Sequence, residues 1–143
     1  MTKFLEKLTI VIFSYNRHKL LKRTIKYWSD YNVKLLVLDG SDIKLEDPCL
    51  NIKNIRYIYG PKDLYGRLLS SINYIDTEFM MLAGDDEFYL PSALSRCIEF
   101  LSKESSFSSC GGRAIGFHTN KKNIFGGIQY PRLKDLSLDS DSA

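Results

Sequence analysis

The sequence predicts an α/β fold, a mostly parallel twisted sheet with flanking helices, and three observations carry that reading. Apolar runs rich in β-branched or large aliphatic residues, Leu8–Phe13, Val33–Leu38 and Phe79–Ala83, suit strands buried in a sheet. Amphipathic helical patterns separate and follow them. Each run stops abruptly at a polar turn: Ser14-Tyr15-Asn16-Arg17, Asp39-Gly40-Ser41-Asp42, and Gly84-Asp85-Asp86-Glu87. Strand, helix, strand in that order makes neighbouring strands parallel, with a right-handed crossover.

The elements follow in order. After the first strand, His18 to Asp30 places Leu20, Leu21, Thr24, Ile25, Tyr27 and Trp28 on one side of a helix. Lys19, Lys22, Arg23 and Lys26 occupy much of the other side, a solvated face that could also touch an anionic membrane surface. Tyr31-Asn32 ends this helix before the second strand. A polar connection, Ile43 to Asn54, leads to Ile55–Tyr59, which alternates as a strand nearer the sheet edge would. Gly60-Pro61 breaks it. Asp63 is placed to cap the next helix, whose apolar stripe is Leu64, Leu68, Leu69, Ile72 and Ile75. Phe79–Ala83 reads as an interior strand covered on both faces. Pro91 pre-sets the first turn of a helix running to Lys103. Beyond it, Arg113–His118 and Ile124–Tyr130 read as antiparallel partners across a turn at Asn120–Asn123, an addition that would make the sheet mixed.

Composition narrows the function classes. The chain has 143 residues, 44% of them hydrophobic, enough for one globular domain with a real core. A net charge of +3, scattered along the chain, argues against a nucleic-acid partner. No apolar segment approaches the length of a membrane span, and the start lacks a signal-peptide core. Cys49, Cys97 and Cys110 have no metal-like spacing and read as reduced thiols of a cytoplasmic protein. The closing stretch, Leu136–Ala143, is polar: a frayed tail, or the cut edge of a longer protein.

The chemistry concentrates at the carboxyl ends of the strands, the rim where open α/β sheets bind ligands. Asp85, Asp86 and Glu87 repel one another there, and a bound cation relieves that repulsion most simply. Hard oxygen donors imply Mg²⁺ or Mn²⁺, sharing its shell with substrate phosphates. Arg67, near a helix start, can face the same rim. A response-regulator receiver would need acids where Ser14–Arg17 stand, and a nucleotidyltransferase would need a glycine-rich phosphate loop there.

Leu8–Arg17, Leu36–Ser41 and Thr77–Phe88, taken as an ordered set, resemble the opening, second strand and acidic motif of family 2 glycosyltransferases. The resemblance spans about the first two-thirds of the chain. It implies the Rossmann-like GT-A fold, a nucleotide-sugar donor, commonly a UDP-sugar, a carbohydrate or glycolipid acceptor and a divalent metal. By position, Tyr15 and Asn16 would lie beside the base and ribose, with Arg17 next to them. Asp39 would accept a hydrogen bond from the base, so that Asp39→Ala should weaken UDP binding and leave the fold intact. Arg67 would contact the base or diphosphate, although the usual glycine-alanine-arginine-asparagine stretch is absent. Asp85 would approach the ribose or the metal, and Asp86 would be the principal metal ligand. Glu87 replaces the commoner third aspartate. The family's general base comes from the later half of its domain. His118 reads as a structural strand residue and Asp135, Asp139 and Asp141 as solvated tail acids, so the base is unidentified. The chain is thus expected to be a donor-binding domain incomplete at its C-terminus, or a non-catalytic nucleotide-sugar-binding or interaction module derived from one.

Overall fold

The strands β1 (Leu8–Ser14), β2 (Lys34–Asp39), β3 (Ile55–Tyr59) and β4 (Phe79–Gly84) form one sheet in the order β3-β2-β1-β4. All three pairings are parallel. The computed structural model describes residues 3–60, 63–112, 114–119 and 124–128. Register aligns Ser14 with Asp39 and Phe13 with Gly84, so the three polar turns emerge side by side on one rim. The chain falls into two units, one through Ile98 and one from Glu99.

Helix α1 (His18–Trp28) crosses from β1 to β2 and buries Leu21, Thr24, Ile25 and Trp28. These pack with Ile10, Ile12, Leu35, Val37 and Ile98 into the main core. Each fully buried aliphatic or aromatic side chain there contributes roughly 1.5–3 kcal/mol relative to exposure. Trp28 stands edge-on to Tyr27 and Tyr31, with ring centroids 5.0 and 5.7 Å away, and that aromatic corner closes the helix. On the other sheet face a smaller cluster, Val11, Leu36 and Leu38, packs against Leu68 and Ile75. Asp63 caps α2 (Leu64–Ser71) by accepting from the backbone N–H groups of Tyr65 and Gly66. Helix α3 (Pro91–Lys103) starts at its proline, where the missing N–H has no helical partner to lose.

Three expectations require correction. First, β4 is an edge strand of this sheet, not an interior one: Met80 and Leu82 are 45% and 48% exposed. Its apolar run alternates between a packed face (Phe79, Met81, Ala83) and an open one. Second, the stripe on and just after α2 is only half buried: Leu68 and Ile75 pack against the sheet, the rest does not. Leu64, Leu69 and Ile72 are exposed, and the buried positions are Arg67 and Ser71. The helix is turned so that Arg67 lies inward, its stem against Gly60 and its guanidinium against Gly40. Third, the antiparallel addition, β5 (Ile115–Thr119) with β6 (Ile124–Ile128), is a separate two-stranded sheet and does not make the parallel one mixed. Its five residue pairs join the two strands only to each other, and strand pattern alone does not say which sheet such a pair joins. His118 lies on β5, as expected. Asn120–Asn123, Tyr130 and the tail acids Asp135, Asp139 and Asp141 lie outside the described residues.

Candidate functional site

The rim has two acidic corners, one after β2 and one after β4, separated by β1. Asp39 ends β2 and is fully buried. One carboxylate oxygen accepts from the Ser41 backbone N–H at 2.9 Å and from the Ser41 hydroxyl at 2.5 Å. The other accepts from the Tyr57 hydroxyl at 2.7 Å and lies 3.2 Å from His18 Nε2. Burial alone would push this carboxyl up, but the bonds from Ser41 and Tyr57, with His18 nearby, hold it below the usual range. Burial and the bond to Asp39 push the Tyr57 phenol up in turn. Tyr57 also accepts the Leu45 N–H at 3.0 Å, which ties the loop after β2 to β3.

The corner after β4 is built differently. Asp85 is buried, accepts from the Ser14 hydroxyl at 2.9 Å, and has its backbone carbonyl bound by the Thr24 hydroxyl at 2.7 Å. Its other oxygen lies 3.0 Å from Arg17 Nη1, within ion-pair range but without hydrogen-bond geometry. Burial raises the Asp85 carboxyl above its ordinary value, and the Ser14 bond and Arg17 charge offset only part of that. Asp86 is about half exposed and accepts from Arg17 Nη2 at 2.6 Å. One guanidinium thus spans both carboxylates. Glu87 turns back into its own turn, accepting from the Gly84 N–H at 2.8 Å and the Tyr89 hydroxyl at 2.9 Å. Burial first, then Glu87, pushes the Tyr89 phenol up to about 12.

Between the corners, Asn16 clamps the two loops. Its backbone N–H donates to the Ser41 hydroxyl at 2.7 Å, and its side chain exchanges hydrogen bonds with Asp42 at 2.7 and 3.0 Å. This reciprocal clamp holds Asn16 at φ 54°, a left-handed conformation that asparagine tolerates better than most residues. Tyr15 reaches Asp42 at 3.5 Å. Asn16, His18, Asp42 and Ile43 line an open cavity of about 300 Å³. Arg67 closes the rim beside Asp39: a methyl group at Gly40 would collide with its guanidinium, so glycine is what lets this buried cation approach the end of β2.

The structure therefore brings Tyr15, Asn16, Arg17, Asp39, Arg67, Asp85 and Asp86 to one rim, while Glu87 faces its own strand end. Among the described residues no group of three or more His, Cys, Asp and Glu side chains converges to hold a metal. The donor set fits a hard cation held by the exposed Asp86 with the inward oxygen of Asp85, the rest of its shell left to water or phosphate. Sequence reasoning missed His18, Tyr57 and Ser14 as partners of these acids. Tyr57 pairs with Val37, two residues before Asp39, and shares its face of the sheet, a relation fixed only by the strand register; His18 and Ser14 had no signal beyond standing next to the motif.

Comparison with curated proteins gave no match. The model of the family described as Glycosyl transferase family 2 matches residues 9–137, nearly the whole chain. That family performs glycosyl transfer and commonly uses divalent metals. With a parallel sheet flanked by helices, acids at the expected strand ends and a match of this extent, the chain belongs to glycosyl transferase family 2.

Proposed function

We propose that this rim binds a nucleoside-diphosphate sugar, with UDP as the nucleotide, for transfer of its sugar to the hydroxyl of a carbohydrate or glycolipid acceptor. The observation that carries the reading is the pair of acidic corners two strands apart, Asp39 with Arg67 at one and Asp85 with Asp86 at the other. Strand spacing sets them roughly 10 Å apart, a span suited to a nucleoside diphosphate lying across β1. The base would sit over the cavity lined by Asn16 and His18, with Asp39 behind it. Asp39 has all its acceptor positions engaged, so it would orient His18 and the Ser41 loop, or exchange one of those partners for the base. Arg67 would offset the diphosphate's charge from the β2 side. Mg²⁺ or Mn²⁺ bound at Asp86, with Asp85, would supply positive charge to the departing diphosphate.

A second reading, binding without transfer, is favoured by one feature. Among the described residues the rim acids Asp39, Asp42, Asp85, Asp86 and Glu87 are each engaged by neighbouring protein groups, and none stands out as general base for the acceptor hydroxyl. This fits a non-catalytic nucleotide-sugar-binding or interaction module derived from a transferase. For location, no described helix is long and apolar enough to cross a membrane. Cys49, Cys97 and Cys110, which form no disulfide among the described residues, suit the cytoplasm, and the exposed Lys19 and Lys26 suit contact with an anionic leaflet where glycolipid acceptors reside.

Thermal melts test the binding site. UDP should raise the melting temperature more with Mn²⁺ than without, and Asp86→Ala should erase most of that difference. No effect of Mn²⁺ in the presence of UDP would remove the metal from the reading. Release of free UDP from a UDP-sugar would then separate transfer from binding alone.

A further inference from the structure

Arg17 stands where a positive charge is least welcome to its own helix. It immediately precedes α1, at the positive end of the helix dipole, and no acidic residue lies in that helix's first turn. Its side chain makes no cap for the helix either. The guanidinium instead reaches across to β4, where Nη1 meets Asp85 at 3.0 Å and Nη2 meets Asp86 at 2.6 Å. Two different carboxylates share the two ends of one planar fork. The bond to Asp86, then the charge of Asp85, holds Arg17 above its already high ordinary value.

We propose that Arg17 is the internal counter-ion of the Asp85–Asp86 pair, and that a divalent cation binds by exchanging with it. This inference rests on the reading of Asp86 as the metal-binding acid. The repulsion between the two carboxylates is relieved in the metal-free protein by the chain's own guanidinium, so they stay convergent without a metal. Arg17 is nearly half exposed, and exposed ion pairs stabilise weakly, so the fork can leave cheaply. Both cations cannot occupy the same point: like charges a few ångströms apart repel strongly near a protein surface. Metal affinity is therefore set by competition with Arg17, and metal binding frees a guanidinium at the rim.

Titration of Mn²⁺ into the nucleotide-free protein, with free Mn²⁺ counted by electron paramagnetic resonance, tests this without turnover. Arg17→Gln should bind Mn²⁺ about tenfold more tightly than wild type. Arg17→Lys, which keeps the charge, should stay near wild type, and Asp86→Ala placed on Arg17→Gln should abolish the gain. Thermal melts verify that each variant is folded. If Arg17→Gln and wild type bind Mn²⁺ equally while Mn²⁺ still strengthens UDP binding, the exchange is wrong and the metal site stands. If Mn²⁺ binds neither protein, with or without UDP, both fall together.

Discussion

The two acidic corners of the rim use similar residues and reach opposite solutions. After β2, Asp39 is buried and surrounded by partners from three segments, the Ser41 N–H and hydroxyl, the Tyr57 hydroxyl and the His18 ring. After β4, Asp86 is exposed and Asp85 is buried with a raised carboxyl, and one mobile type of side chain, Arg17, answers both. The first corner is fixed by hydrogen bonds whose loss would leave buried groups unsatisfied. The second is held by charge near solvent, which can be exchanged. Under the proposed function, that division would give the nucleotide base a rigid corner and the cation an exchangeable one.

The sharpest way to break the comparison is to delete one acid from each corner. Asp39→Ala leaves the Tyr57 hydroxyl and both Ser41 donors without their acceptor in a buried place, a cost of about 2–4 kcal/mol. The same measurement tests the expectation that Asp39 can be removed with the fold intact. Asp86→Ala removes only an exposed partner of Arg17 and should leave the melting temperature nearly unchanged. Urea denaturation of both variants checks the contrast, and equal losses would refute the division between the corners.

A smaller effect sharpens it. Tyr57→Phe removes one charge-assisted donor from Asp39 and the acceptor of the Leu45 N–H while keeping the ring in place. The expected cost is about 1.5–3 kcal/mol, with weaker UDP binding because the loop bearing Ser41 and Asp42 loosens. A denaturation midpoint unchanged from wild type would mean that the hydroxyl contributes nothing to the closed corner.

How far this arrangement was legible follows from what each signal depends on. Leu8–Phe13 and Val33–Leu38 declared themselves because strands covered on both faces are apolar at nearly every position, Thr9 and Lys34 being the exceptions. Phe79–Ala83 looked the same and was not, since a run of apolar residues does not report whether anything lies over Met80 and Leu82. The stripe on α2 misled for a related reason: an arginine counts as polar in any pattern, yet Arg67 finds room against Gly40 and Gly60 and takes the inward position. The acids were legible as strand-end motifs. Their partners were not, because Arg17 meets Asp86 only once β4 pairs with β1, a contact 69 residues apart in the chain.

The smallest expected effect is the dependence of stability on pH, and here the corners oppose each other in sign. The Asp39 carboxyl is held below its unfolded value of about 3.9. Below that value the unfolded chain binds the proton more readily, so stability falls as pH drops toward the folded pKa. Asp47, lowered by hydrogen bonds from Cys49 and then Lys22, and Asp76, lowered by the bond from Lys34, act in the same window. The Asp85 carboxyl is raised, so between about 3.9 and its folded value the native state binds the proton more readily. Stability from Asp85 therefore rises as pH drops through that upper window. Asp85→Asn keeps an acceptor for Ser14 and removes the titration. Urea midpoints measured from pH 7 to 3 should show the variant losing the shallow gain above pH 4 while keeping the acid loss below it. Parallel curves for variant and wild type would mean that burial does not raise Asp85, and that its corner is as open to water as that of Asp86.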